Sequence, residues 1–223
     1  MDLSIDDQTL ERLKGIRALG KGQIRPLGLE ADRLGRPTPP EHPFFENLVK
    51  AGQGRTRWTG EASAPKGRAS TIGSSRSTLC LAEEMSYWDR GVAVSFPGPG
   101  LGEPPLISMG TDDQKRRFLG PFVEPDRARW GSFAMTEPGA GSDVAGIRAS
   151  ARKEGNVWIL NGAKSFAANA SRADWIVVWA TVDASLGREG HRAFVVEKGT
   201  PGLGDFQVER KMGQGRSLKL LIK

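Results

Sequence analysis

The first half of the chain shows the apolar spacing of amphipathic helices. Apolar residues recur three or four positions apart, which places them on one face of a helix. The first of these helices is predicted to begin near Ser4. Three such faces follow one another: Leu10, Leu13 and Ile16; then Phe44, Phe45, Leu48 and Val49; then Leu79, Ala82 and Met85. Gly52 and Gly91 are predicted to end the second and third helices. The Gly-, Ser- and Arg-rich stretch 52–75 is expected to be a long loop.

A further helix is predicted to start at Thr111. The Thr111 hydroxyl can accept a bond from the backbone amide of Gln114, while the Gln114 side chain accepts one from the amide of Thr111, which is a capping box. The two aspartates at 112–113 favour the positive end of the helix dipole, and the basic residues 115–117 lie near its C-terminal carbonyls. The helix therefore explains the densest basic cluster of the chain, and a nucleic-acid patch is not needed.

From Trp130 onward the apolar pattern changes to that of β-strands. Residues 149–160 are predicted to form a hairpin that pivots on Glu154-Gly155-Asn156. Further strands are predicted in three segments, which are 131–135, the buried apolar run 174–181, and 192–197. Helices followed by strands, without βαβ alternation, predict an α+β fold. We expect an all-helical domain over 1–129 and a mostly antiparallel β-barrel or sandwich domain over 130–223, incomplete at its C-terminal end.

Composition narrows the class of protein. Of the 223 residues, 38% are hydrophobic and 26% are charged, which excludes wholesale disorder. The net charge of +6 is spread along the chain, so it favours an anionic ligand weakly and argues against nucleic acid. The single cysteine, Cys80, cannot form an internal disulfide, and no apolar run approaches the ~18 residues of a membrane span. With no targeting segment at the N-terminus, these features predict a cytoplasmic protein.

Several common site patterns are missing. The glycines Gly98, Gly100 and Gly102 do not follow a strand and lack the third glycine of a dinucleotide fingerprint. The histidines and the cysteine are too isolated to suggest a metal site. Glu83 and Glu84 are adjacent on a helix, about 100° apart, and so cannot serve one substrate atom as an acid–base pair. We expect no metal and can name no catalytic residue from these patterns.

One segment, FAMTEPGAGSD at 133–143, combines a strand with a glycine-rich turn. The strand delivers Met135 and Thr136 to its edge, and Pro138 and the glycines then force a tight turn with accessible backbone amides. Thr136 and Ser142 place hydroxyl groups at the two ends of this turn. The residues are equally compatible with a site for an anionic or polar cofactor and with a simple turn between strands.

The same segment resembles the flavin-binding stretch of the acyl-CoA dehydrogenases. Upstream, LCLAEEMSYWDRG and LGEPPLISMGTDDQKRRFLGPFV resemble the family's helical domain. Downstream, DVAGIRASARKEGNVWILNGAKSFAANAS and HRAFVVEKGTPGL resemble its middle β-domain. The resemblance runs, with gaps, from about Pro26 to Met212. It implies FAD as the cofactor, with the isoalloxazine ring against the β-domain.

The resemblance also implies roles for individual residues. Met135 and Thr136 would contact the pyrimidine end of the flavin, and Ser142 would lie by the pyrophosphate and the pantetheine arm of the substrate. Phe166 occupies the position of an aromatic residue that stacks on the flavin, whereas Ala168 replaces a residue whose hydroxyl bonds flavin N5. The implied flavin-binding set is Phe133, Met135, Thr136, Gly141, Ser142, Phe166 and Ala168. Ser142 is also the implied substrate contact.

Family chemistry removes an α-proton with a carboxylate while a β-hydride passes to flavin N5. A C-terminal helical bundle supplies that carboxylate, and this sequence stops at Lys223. The resemblance therefore implies a component that binds FAD and an acyl-CoA thioester for α,β-desaturation, with the base on a partner chain. The implied partners are an electron-transferring flavoprotein or similar acceptor and further subunits of a homo- or hetero-oligomer. The alternatives are a truncated product and a non-catalytic paralogue that binds FAD and acyl-CoA.

Overall fold

The protein combines an N-terminal group of helices with a C-terminal sheet. The computed structural model describes residues 5–60, 72–208 and 218–222. Within these ranges the helices are α1 (Asp7–Leu19), α2 (Arg25–Arg33), α3 (Pro43–Lys50), α4 (Ile72–Val94), α5 (Glu103–Met109) and α6 (Asp112–Leu119). The strands are β1 (Gly131–Ala134), β2 (Ser150–Glu154), β3 (Val157–Ala167), β4 (Trp175–Thr181), β5 (His191–Glu197), β6 (Leu203–Val208) and β7 (Leu218–Ile222). This order confirms the α+β class, while the domain boundary at residue 129 stays a prediction.

Local capping signals set several of the helix boundaries. The Gln114 amide donates to the Thr111 hydroxyl at 3.3 Å, and the Thr111 amide donates to Gln114 Oε1 at 2.9 Å, so the capping box is present. Asp6 caps α1 by accepting a bond from the Thr9 amide at 2.8 Å. The predicted start at Ser4 lies outside the described residues, as do positions 61–71 of the predicted loop.

Two predictions around α4 are wrong. The helix begins at Ile72, so the last residues of the predicted loop 52–75 are helical. It also continues past Gly91 to Val94, and its break lies at Asp89, where the backbone is extended with φ −170° and ψ 112°. The Asp89 carboxylate accepts a bond from the Val92 amide at 2.8 Å. An aspartate in this position acts as an N-cap and restarts the helix, so Gly91 is not needed as a stop.

The seven described strands form a mixed sheet. Strands β2 and β3 form the predicted hairpin, and antiparallel pairing also joins β3 to β7, β6 to β7 and β4 to β5. The pairing of β1 with β4 is parallel, however, as is a single contact between Ser150 and Thr181. The mostly antiparallel prediction therefore needs one correction. The chain crosses over through the hairpin between β1 and β4, and a crossover returns a strand in the same direction.

Strand β4 lies inside the protein and packs against helices on both of its faces. Ile176 and Val178 join one apolar cluster with Phe45 of α3, while Trp175 and Val177 join another with residues of α5 and α6. This alternation follows the two-residue period of a strand. Because both faces are covered, β4 is apolar throughout, as its sequence predicted.

Trp175 connects the sheet to the second group of helices. The indole is 4% exposed and donates from Nε1 to the Phe118 carbonyl at 3.0 Å. Its ring lies edge-on to Phe118 and Phe122, with centroids 6.4 and 5.9 Å away. A Cβ at Gly102 or Gly131 would lie 2.4 or 2.6 Å from this ring, so both positions must be glycine for the tryptophan to fit.

The described ranges contain neither a helix suited to crossing a membrane nor a cluster of side chains suited to a metal ion. No helix there is long and apolar enough to cross a membrane. The same ranges hold no group of three or more His, Cys, Asp or Glu side chains that could bind a metal ion.

Candidate functional site

The predicted turn after β1 is present and is closed by its own backbone. The Glu137 amide donates to the Ala140 carbonyl at 2.9 Å, and the Ala140 amide donates to the Glu137 carbonyl at 3.2 Å. Gly139 and Gly141 are exposed, and a Cβ built on either would meet nothing within 4 Å. The glycines are therefore not required by packing inside the protein. They leave the outer side of the turn open for close approach by a ligand.

A buried ion pair between Lys164 and Glu137 holds the first residue of this turn. Lys164 of β3 is 0% exposed and Glu137 is 8% exposed, and Lys164 Nζ lies 2.7 Å from Glu137 Oε1. The carboxylate also accepts bonds from the backbone amides of Arg148 at 2.7 Å and Ala149 at 2.9 Å. Both charges thus have partners, as charges taken out of water require. Sequence reasoning missed this pair, because the predicted hairpin ended at residue 160, whereas β3 continues to Ala167 and so includes Lys164.

Strand β3 also bonds to Met135 and Thr136, the two residues that precede the turn. Lys164 Nζ donates to the Met135 carbonyl at 3.0 Å, and the Ser165 amide donates to the Thr136 carbonyl at 2.7 Å. Both Met135 and Thr136 are half-buried. The structure therefore brings the predicted pair Met135-Thr136 directly beside the end of β3, where the predicted residues Phe166 and Ala168 follow.

The chain after Ser165 adopts an unusual conformation. Phe166 and Asn169 have φ angles of 59° and 61°, in the left-handed region that non-glycine residues rarely occupy. The Phe166 ring remains 57% exposed. The Ala168 carbonyl accepts a bond from the Ser132 hydroxyl at 2.7 Å, and Asn169 Nδ2 donates to the Val94 carbonyl at 2.8 Å. The segment is thus held by β1 on one side and by the end of α4 on the other.

Of the remaining predicted residues, Phe133 packs against the core, whereas Gly141 and Ser142 are exposed. Phe133 is half-buried and packs against the cluster that contains Trp175, so the apolar core accounts for this side chain. Gly141 and Ser142 are exposed on the far side of the turn, beyond the buried Ala140. The roles of all seven predicted residues in flavin binding, and of Ser142 in substrate binding, stay predictions.

Glu137 gives the site a defined dependence on pH. Burial raises the pKa of this carboxyl, but the bonds from Lys164 and from the two backbone amides outweigh burial, so its pKa lies below the ordinary value of 4.5. Burial lowers the pKa of Lys164, and the pairing with Glu137 opposes that shift. The carboxylate form is therefore favoured in the folded protein.

We expect this carboxylate to make the fold sensitive to acid. A carboxyl with a depressed pKa in the folded state contributes stability that is fully present above the unfolded pKa and is lost as the pH falls through the folded value. The free energy of unfolding should therefore decline as the pH falls below about 4.5. Urea denaturation between pH 3 and 7 measures this decline, and Glu137→Gln should flatten it. An unchanged slope in the variant would assign the acid sensitivity to other carboxyls.

Comparison with known proteins defines the class of the fold. Residues 132–218 match the family model described as "Acyl-CoA dehydrogenase, middle domain". The chain is 37% identical over 199 residues to a 3-(aryl)acrylate reductase of Clostridium sporogenes, a match that covers 88% of this chain and 50% of that protein. It is 33% identical over 217 residues to the short-chain specific acyl-CoA dehydrogenase of Megasphaera elsdenii, covering 96% and 54%.

Solved structures agree with the sequence comparison. The butyryl-CoA dehydrogenase of Megasphaera elsdenii matches with a TM-score of 0.78 and 31% identity, over 100% of this chain and 57% of that one. A glutaryl-CoA dehydrogenase of Mycobacterium smegmatis in complex with FADH2 matches with a TM-score of 0.75 and 25% identity, over 98% and 53%. The resemblance to the acyl-CoA dehydrogenase family is thereby confirmed for the helical and middle portions. The chain spans about half the length of the curated relatives that it matches.

Proposed function

We propose that this chain forms the flavin-binding side of an acyl-CoA dehydrogenase-like flavoprotein. It would bind FAD and an acyl-CoA thioester and take part in α,β-desaturation of the acyl group. One observation carries the proposal: Lys164 and Ser165 of β3 bond to Met135 and Thr136, and the next residue along β3 is Phe166, which is exposed. An exposed aromatic next to half-buried polar groups suits a planar ligand with a polar edge.

The residues of this site suit FAD in their chemistry. The Phe166 ring offers an apolar face for stacking, and Thr136 offers an amide and a hydroxyl as donors. The open side of the turn around Gly141 offers backbone amides, which suit the phosphates of a dinucleotide. When bound, FAD would supply the acceptor for a hydride, which no amino-acid side chain can provide.

The catalytic base is proposed to come from outside the described residues. Glu137 is the buried carboxylate at the site, and it is already bonded to Lys164 and to the amides of Arg148 and Ala149. A carboxylate held in this way has a depressed pKa and is a weak proton acceptor. A partner chain is the proposed source of the base, with an electron-transferring flavoprotein or similar acceptor for the electrons. We also propose that the chain belongs to an oligomer and that it is cytoplasmic.

A second function is favoured by Ala168. This residue presents a methyl group where the family pattern has a hydroxyl, so one hydrogen bond to the cofactor, typically ~0.5–1.5 kcal/mol, would be missing. A protein that binds FAD and acyl-CoA without turning the substrate over is the alternative.

Titration of the purified protein with FAD tests the flavin proposal. We expect Phe166→Ala to weaken FAD binding by roughly twofold to tenfold, the equivalent of an aromatic contact of ~0.5–1.5 kcal/mol. Thermal stability should change little, because the ring is 57% exposed. Val157→Ala is the matched control, since Val157 is 58% exposed on the β2–β3 hairpin. Equal binding by the two variants would place FAD elsewhere.

Absorbance spectroscopy separates the two candidate functions. The FAD-loaded protein is mixed with acyl-CoA alone, and then with a candidate partner chain. Bleaching of the flavin that depends on the partner is expected for a component that needs a base in trans. Flavin binding without bleaching under either condition would favour the non-catalytic alternative, and no flavin binding at all would contradict both.

A further inference from the structure

Lys164 makes a second contact, with the Met135 carbonyl, in addition to its ion pair with Glu137. Besides Glu137, its ammonium group donates to the Met135 carbonyl at 3.0 Å. The side chain is 0% exposed, so these partners replace the water that a lysine would normally keep. The Met135 carbonyl is therefore drawn into the protein by a fixed charge.

The direction of that carbonyl determines the direction of the next amide. In a trans peptide the C=O of one residue and the N–H of the next point to opposite sides of one rigid plane. The bond between Met135 and Thr136 is trans. Because the Met135 carbonyl points inward to Lys164, the Thr136 amide points away from Lys164. Among the described residues, this amide donates to no backbone carbonyl.

Glu137 keeps the ammonium group in that position. Its Oε1 atom binds Lys164 Nζ at 2.7 Å and the Ala149 amide at 2.9 Å, so the carboxylate is itself anchored to the start of β2. The Thr136 carbonyl is held by the Ser165 amide at 2.7 Å. The peptide units on both sides of the Thr136 side chain are therefore fixed by β3.

We infer that Lys164, supported by Glu137, is a positioning residue that aims the Thr136 amide at the bound cofactor. This inference rests on the proposed function, in which Thr136 meets the polar edge of the flavin. Lys164 itself does not touch the ligand. Donors fixed before a ligand arrives lose less entropy on binding, so the contact gives both affinity and a defined electrostatic environment.

The test compares FAD affinity with the stability of the free protein in matched variants. Lys164→Met removes the donor to the Met135 carbonyl and leaves Glu137 without its cation. The double variant E137Q/K164M removes both charges, so it should recover much of the lost thermal stability. We expect FAD binding to weaken at least tenfold in both variants, because the Met135 carbonyl lacks its donor in both. Lys164→Gln keeps an uncharged donor and should bind FAD more tightly than Lys164→Met.

Glu103→Gln provides the control. Glu103 is another buried carboxylate, 5% exposed, which binds Arg57 Nε at 2.7 Å and holds a loop in the helical region. This variant should lose stability and yet bind FAD within threefold of the wild type. The visible absorption band of the bound flavin should shift in Lys164→Met and stay unchanged in Glu103→Gln, since a purely structural role would not move it.

The outcomes separate the inference from the proposed function. If the double variant regains wild-type affinity together with its stability, the ion pair only supports the fold and the inference is overturned. The same holds if Lys164→Met and Glu103→Gln weaken binding equally for an equal loss of stability. If the folded wild-type protein does not bind FAD, the proposed function fails, and the inference fails with it.

Discussion

Replacing Trp175 by alanine is expected to lower the free energy of unfolding by about 3–5 kcal/mol, the usual cost of removing a large buried aromatic. The indole fills the space between β4 and the helices α5 and α6, and its loss would also leave the Phe118 carbonyl without its donor. Gly102 and Gly131 line this space with no side chain of their own, so nearby residues cannot fill the cavity. For a chain of this size the midpoint of thermal unfolding should fall by roughly 10 °C.

Urea denaturation measures the effect, with Trp158→Ala as the control. Trp158 lies on β3, is 45% exposed, and has its ring centroid 5.3 Å from that of Phe194. Its removal should cost no more than about 1.5 kcal/mol. Similar losses for the two tryptophans would show that the junction between sheet and helices relaxes around the cavity.

The second large effect is expected for Glu137→Ala. This change leaves Lys164 as an uncompensated buried charge and removes the acceptor for two backbone amides. Breaking a buried ion pair by removing one partner typically costs about 3–5 kcal/mol. The loss should be partly reversed by the second change Lys164→Met, because the unpaired charge is then removed as well.

Comparison with Glu103→Ala isolates the effect of burying the cation partner. Glu103 is as buried as Glu137, but its cation partner, Arg57, has a side chain that is 63% exposed. The arginine can therefore be hydrated once the carboxylate is gone, and the loss should be closer to ~1–3 kcal/mol. If both variants lose the same stability, the burial of Lys164 carries no special cost.

Elements with local signals were predictable from the sequence. The capping box at Thr111 and Gln114 involves residues three positions apart, and the β2–β3 hairpin depends on a short turn in which Gly155 takes a φ of 56°. The apolar run of β4 reflects burial on both faces. In each case the information lies within a few neighbouring residues.

Features that depend on distant partners were not predictable in the same way. Glu137 and Lys164 are 27 positions apart, and nothing in the spacing of either residue indicates the other. The parallel pairing of β1 with β4 follows from how the chain crosses over the hairpin, which periodicity cannot show. Asp89 overrode the glycine two positions later because a carboxylate can cap a new helical turn.

In the candidate site, too, some features have local sequence signals and others depend on distant residues. The turn at 137–140 follows from its Pro and Gly residues, but its predicted cofactor role rests on the family resemblance, since a turn between strands has the same composition. The left-handed conformation of Phe166 had no local signal, whereas asparagine adopts this conformation more readily than most residues and so suits position 169. Contacts with Ser132 and Val94, far away in the sequence, help to hold this segment in place, as does the pairing of Ala167 with Leu218 of β7.

The left-handed backbone at Phe166 and Asn169 costs free energy, and this cost arises when the chain folds. A residue in the left-handed region costs of order 1–3 kcal/mol and persists only where its surroundings fix it. Here the bonds from Ser132 to Ala168 and from Asn169 to Val94 hold the backbone in place. The cost of this conformation is therefore incurred when the chain folds, and the proposed flavin would meet a backbone that already has it. Because Val94 belongs to α4, the helical region helps to hold the backbone of this segment in its left-handed conformation.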